Sequence, residues 1–172
     1  MPFSLYEATI PTMIQMLNAG QSWIEKAKAC DIPDEDIAAA RLADDMLPFA
    51  YQVKSMVNHS VGAIEGVRKG SFSPHMDEPE TDLEKMRLNL GAAENTLRAL
   101  SMGEIESFIG QEMHFLFEQK GVNIPFTAEN FLLSFSQPNF FFHATTTYAL
   151  LRKLGLNLGK IDYLGQMRTA RG

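Results

Sequence analysis

The sequence predicts an all-α fold, a four-helix bundle carrying one small β-hairpin ahead of its last long helix. Three observations carry this. Apolar residues return at three- and four-residue intervals through four long segments, as amphipathic helices require. Between residues 105 and 126 that period gives way to aromatic and branched residues flanking Gln119-Lys120-Gly121, the pattern of a short hairpin. And 172 residues, 45% apolar and 21% charged, suit one domain over 1–172, with no repeat, low-complexity tract or linker to divide it.

Each element follows in order. Ser4 is placed to cap a first helix, with Glu7 three residues on, and Ile10, Met13, Leu17 and Ile24 fall on its inward side as it runs to about Ala29. Pro11 lies inside it and removes one amide donor, so a bend or a delayed start is expected. The run from Asp31 to Asp36 breaks the pattern and feeds a short helical turn through Ala40. A second long helix is expected from Asp44 to Lys69, with Asp44 and Asp45 at its positive end and Gly70 as its stop. Its inward stripe comprises Phe49, Gln52, Val53, Met56, His59 and Ala63.

Residues 70–80, rich in Pro, Ser and acids, read as a loop. Thr81 and Glu84 then read as the capping box of a third helix that buries Leu83, Met86, Leu90 and Leu97. The hairpin should lie across an end or flank of the helices, because two strands alone are marginal in water. Thr127 opens the fourth helix, Pro138 should kink it, and Gly155 ends it. Residues 156–172 read as an irregular tail.

Charge narrows the partners. Fifteen Lys and Arg against 21 Asp and Glu leave a net charge of −6. A surface of that sign repels phosphate backbones and anionic lipid, so neither nucleic acid nor a membrane is expected as partner. No apolar run approaches the roughly 20 residues that span a bilayer. Cys30 is the single cysteine and can make no internal disulfide. With no basic-then-apolar leader at the start, the expected compartment is the cytoplasm.

Many chemical signatures are missing. The chain has no Gly-rich phosphate loop, no Cys-x-x-Cys, no His-Glu-x-x-His and no Gly-x-Ser-x-Gly. Glu112 and His114 stand too close for the Glu-x-x-His of a di-iron bundle. What remains is a polar seam. Asn139, His143 and Thr147 fall on one face of the apolar fourth helix, and Gln52 and His59 share the inward face of the second. Such a seam means either a closed hydrogen-bond network or a lined site, with imidazole and amide groups able to hold a divalent metal.

The other candidates have plainer readings. His75 sits in the acidic loop, His114 on a strand of uncertain facing, and Cys30 reads as inert. Phe140, Phe141 and Phe142 cover most of a helix circumference, which suits a core plus a subunit interface.

Several segments carry a resemblance. They are Ser4-Leu5-Tyr6-Glu7-Ala8, the stretch from Ala40 to Pro48 with Gln52-Val53, and Pro138-Asn139-Phe140-Phe141-Phe142-His143. The closing Leu151-Arg152-Lys153-Leu154-Gly155 and Gly159-Lys160-Ile161-Asp162-Tyr163-Leu164-Gly165 belong with them. Together they resemble a bacterial branch, a domain of unknown function, of the DinB/YfiT-like metalloenzyme superfamily.

That resemblance implies an up-down-down-up four-helix bundle, commonly a homodimer. Its metal-binding members place one His on the second helix and a His-x-x-x-His pair on the fourth. The resemblance puts His143 at the second His of that pair and Asn139 at the first. Gln52 falls near the helix-two ligand, with His59 able to substitute. Thr147 and Tyr148 would orient the ligands. An amide oxygen is a poor ligand for zinc or nickel beside imidazole, so the substitution at Asn139 weighs against a tight centre.

Characterised members include thiol-dependent S-transferases, in which a metal lowers the pKa of a small thiol. The leading expectation is therefore a metal-dependent, thiol S-transferase-like enzyme acting on small electrophiles with zinc, nickel or iron. The alternative is a metal-free bundle dimer that binds a small molecule or serves structure.

Overall fold

Ser4 caps the first helix: its Oγ accepts the Glu7 amide at 3.1 Å and opens α1, Leu5–Lys28. The computed structural model describes residues 4–170, so the first three residues of the N-terminal reading and the last two of the tail lie outside it. Pro11 neither delays nor divides α1, which stays helical on both sides of it. The inward stripe of Ile10, Met13, Leu17, Trp23 and Ile24 is completely buried. Helix α2, Asp34–Ala39, follows as a single buried-edged turn anchored by Ile37.

The second long helix begins later than expected. Residues 40–48 form an open connection, and helical structure starts at Phe49 behind Pro48. The cause is local: the residue before a proline is pushed out of the helical region, whereas proline itself suits a helix entry. Asp44 and Asp45 therefore sit ahead of the helix and do not cap it. This helix, α3, comprises Phe49–Val57, a π-helical turn at Asn58–Gly62, and Ala63–Lys69. It stops at Gly70, whose φ of 74° favours a residue without a side chain.

The acidic loop yields a further strand. Ser71–Phe72, β1, pairs in parallel with β2, Glu112–Phe117, and β2 pairs antiparallel with β3, Val122–Thr127. The sheet thus runs β1-β2-β3 and has three strands where a lone hairpin was expected. The added strand covers one edge of β2 and buries Phe72, which offsets the marginal stability of a two-stranded ribbon.

Helix α4, Leu83–Arg98, is capped by Asp82, whose carboxylate accepts the Lys85 amide at 2.9 Å. The cap lies one residue beyond Thr81, and Glu80 takes the Thr81 and Asp82 amides instead. A carboxylate at the cap also complements the positive helix end. A short α5, Met102–Glu106, unread in the sequence, is capped by Ser101.

The last long helix, α6, opens after Thr127 with Ala128–Asn130, passes a π-helical turn at Phe131–Ser136, and continues as Gln137–Lys153. Pro138, expected to kink the helix, sits in the first turn after that wider turn, and the helix runs on unbroken to Lys153. Proline cannot donate one turn back to Ser134, and π-turns are a recognised way for a helix to absorb such a gap.

The tail is not irregular throughout. Lys160–Leu164 forms α7, which docks on α1 through Trp23 Nε1 to the Asp162 carbonyl at 2.7 Å and Gln15 Nε2 to the Leu164 carbonyl at 2.6 Å. The Tyr163 ring stacks on Trp23 at 5.6 Å. The chain is therefore mainly helical with one small sheet, α1 packing chiefly on α4 and α3 on α6. Trp23, Phe49, Phe131 and Phe140 are the bulkiest fully buried side chains of the shared core. No helix among the described residues is long and apolar enough to cross a membrane.

Candidate functional site

The contact between α3 and α6 brings Gln52, His59 and His143 together. Gln52, 2% exposed, donates its Nε2 to the Leu47 carbonyl at 2.8 Å. That carbonyl belongs to the non-helical residue ahead of Pro48, so the late helix start supplies the acceptor that orients the amide. The Gln52 Oε1 is left facing His143 Nδ1 at 2.7 Å. An amide oxygen only accepts, so His143 carries its proton on Nδ1 and presents Nε2 as a bare lone pair.

His59 lies beside it. The two imidazoles are 5.6 Å apart at 15°, and His59 also touches Phe72 at 5.4 Å and Phe135 at 5.9 Å. Burial lowers the His143 pKa to about 4. Burial, and then the proximity of His143, lowers that of His59 to about 3. Both rings are therefore neutral at neutral pH. His59 Nδ1 is shielded from solvent and has no hydrogen-bond partner among the described residues.

Two π-helical turns frame this pair. His59 sits in the turn of α3, and its carbonyl accepts Ser136 Oγ, from the turn of α6, at 2.8 Å. Ser60 Oγ is bound to the Met56 carbonyl at 2.7 Å, competing with the backbone as serine does inside a helix. Neither Ser60 nor Ser136 stands out in the sequence, where a serine inside a helix carries no signal of its partner.

The remaining expected residues divide. Thr147 Oγ1 donates to the His143 carbonyl at 2.8 Å and lies 3.9 Å from Met56 Sδ, so it steadies the backbone beneath the ring. Asn139 shares the face but is spent on its own helix, its Nδ2 donating to the Phe135 carbonyl at 2.7 Å. Tyr148 packs edge-on against Trp23 and Tyr163, away from the imidazoles. His114 lies at the surface between Asn123 Oδ1 and Glu112 Oε1, which raise its pKa in that order. His75 is exposed and Cys30 is a free, half-buried thiol.

The donor set does not match a three-ligand metal centre. Structural and catalytic zinc take three or four N, S or O donors from the protein. The seam offers two imidazoles; the Gln52 oxygen already accepts from His143, and Asn139, whose Nδ2 donates to the Phe135 carbonyl, could add only an amide oxygen, a poor ligand beside imidazole. Among the described residues no three His, Cys, Asp or Glu come together. A conjugate-acid pKa near 4 also makes His143 a poor proton acceptor at neutral pH, because general bases work best near the operating pH. The arrangement suits hydrogen-bond acceptance more than proton transfer.

Comparison with known proteins places the fold. The crystal structure of a DinB family member protein from Shewanella denitrificans superposes with a TM-score of 0.77 at 24% identity, covering 96% of this chain and 94% of that one. No curated protein matches the chain. The sequence pattern of the family described as a domain of unknown function, DUF1993, matches residues 5–164, and the chain belongs to that family.

Proposed function

We propose that the chain is a small-molecule-binding protein whose recognition group is the bare Nε2 of His143, set beside the His59 ring. One observation carries this reading: the Gln52 amide, fixed by the Leu47 carbonyl, holds the Nδ1 proton and leaves Nε2 unspent. A ligand with an N–H or O–H donor and a flat apolar body would suit it, since Phe135 and Phe142 flank the imidazoles and Phe142 is 53% exposed. The four long helices are read as an up-down-down-up bundle, working in the cytoplasm as a homodimer, with Phe142 and Leu133 offering an exposed apolar surface for a second copy.

A second reading keeps the metal-dependent, thiol S-transferase-like activity on small electrophiles. The unpartnered Nδ1 of His59 beside His143 is the observation in its favour. Elemental analysis per chain, on protein purified without chelator or affinity metal, separates the two when run beside a denaturation curve of His143→Ala. The first reading expects no stoichiometric zinc, nickel or iron. It also expects a loss of about 1–3 kcal/mol in His143→Ala, because the buried Gln52 oxygen loses its donor. Stoichiometric metal that vanishes in His143→Ala would overturn the first reading and support the metal site that the second requires.

A further inference from the structure

A cavity of about 510 Å³ lies between α3 and α4, away from the imidazole pair. It arises because the side chains meeting there are small. Ala50 and Ala93 are buried at its base beside Val53 and Met86, and Ala92 stands at its edge, so nothing fills the gap between the helices. That volume falls within the roughly 300–1,000 Å³ of small-molecule sites, which combine an apolar floor with a few placed polar groups.

The polar groups are collected at the rim. Asp77 and Glu78 line the end of the cavity where the loop before α4 crosses it. Among the described residues neither carboxylate makes an ion pair, whereas Glu80 beside them is committed to Lys85 and the start of α4. Lys54, the cation at the same rim, is directed onto the Asp77 main-chain carbonyl. It ties the loop to α3 and offsets part of the charge of the two acids, which leaves this side of the cavity net negative. Asn58 and Asn89 line the cavity between these acids and Thr96.

We propose that this cavity binds a small cationic amphiphile, a primary alkylamine with its chain along the alanine floor and its ammonium at Asp77 and Glu78. Charge complementarity selects the class: two unpaired carboxylates at one end of an apolar trough favour a cation and repel a carboxylate of the same shape. The overall charge of −6 acts in the same direction at longer range. The site shares no lining residue with the His143 pair, so it stands or falls independently of the function proposed above.

The test uses n-octylammonium, with n-octanoate and n-octanol as chain-matched controls, titrated by calorimetry into the full chain. The ammonium should bind about tenfold more tightly than the alcohol, and octanoate more weakly than either, with the preference shrinking as salt is raised. Asp77→Asn together with Glu78→Gln should bring the ammonium close to the alcohol. Ala92→Leu, which fills the edge of the cavity from an exposed helix position, should abolish binding without lowering the melting temperature. His143→Ala should leave binding unchanged. Equal affinity for all three probes, no binding of the ammonium, or undiminished binding in Ala92→Leu would each overturn the proposal.

Discussion

Two helix contacts in this molecule bury polar side chains, and they do so in opposite ways. Between α1 and α4, Glu94 is 7% exposed and every lone pair is used: Arg98 donates twice to one oxygen, while Gln21 and Asn18 donate to the other. Burial alone would raise the Glu94 pKa, yet Arg98, Gln21 and Asn18 outweigh it and hold the carboxylate ionised. Between α3 and α6 the enclosed groups are neutral: among the described residues His59 Nδ1 is shielded without a partner, and His143 Nε2 makes no hydrogen bond to the protein. An inward polar residue is thus no evidence of a site until its partners are counted. Glu94 is structural because it is saturated, and His143 is a candidate because it is not.

The largest expected effect separates the two contacts by pH. The folded imidazoles have pKa values lowered to about 3 and about 4, against 6.5 for ordinary histidine. Below pH 6.5 the unfolded chain takes up protons that the folded chain refuses. Stability should therefore fall with acidification, by about 1.4 kcal/mol per pH unit for each imidazole, until the folded pKa values are reached. Glu94 loses its contribution only further down, as pH drops through its own lowered carboxylate range. His114, with a raised pKa, opposes the trend by gaining stability on protonation. Urea denaturation from pH 6.5 to 4.5, compared with His59→Leu, isolates the α3–α6 contribution. A variant that loses stability as steeply as the parent would remove His59 from the account.

At neutral pH the ranking reverses. Glu94→Leu should cost about 1–2 kcal/mol, because Gln21, Asn18 and Arg98 lose a shared acceptor while the exposed Arg98 and Asn18 turn to solvent. The same experiment read by urea midpoint, with an unchanged m-value, keeps the loss assigned to the folded state. A cost below about 0.5 kcal/mol would mean that solvent replaces the carboxylate, and the contrast between the contacts would dissolve.

Much of this was legible in the sequence, and the failures have physical causes. Ser4, Gly70 and Gly155 marked helix ends because caps are local chemistry, and the meeting of Gln52 with His143 followed from two inward stripes on long helices. The start of α3 was misplaced because a helical apolar period was extended back through Leu47-Pro48, where proline geometry forbids it. Ser71–Phe72 is too short to show a period, and its pairing with β2 is long-range. Helix α7 was read as irregular because its order comes from Trp23, 139 residues away in sequence, and not from its own pattern. For Asn139, helical spacing says nothing about whether an amide turns outward or back onto its own helix, as its Nδ2 does toward Phe135.

The smallest expected effect is the sharpest test of unspent bonding capacity. His59→Leu at neutral pH replaces a half-buried ring, whose shielded Nδ1 has no partner among the described residues, with an apolar side chain of similar bulk. Stability should be unchanged or rise by up to about 1 kcal/mol, since an unsatisfied buried polar atom carries its desolvation cost with no bond in return. Its carbonyl bond to Ser136 is a main-chain feature and survives the substitution. His143→Leu, by contrast, strands the Gln52 oxygen and should destabilise, although the two rings are stacked neighbours of similar burial. Equal losses in the two variants would show that His59 has a partner of its own, and the nitrogen now counted as free would have to be assigned to it.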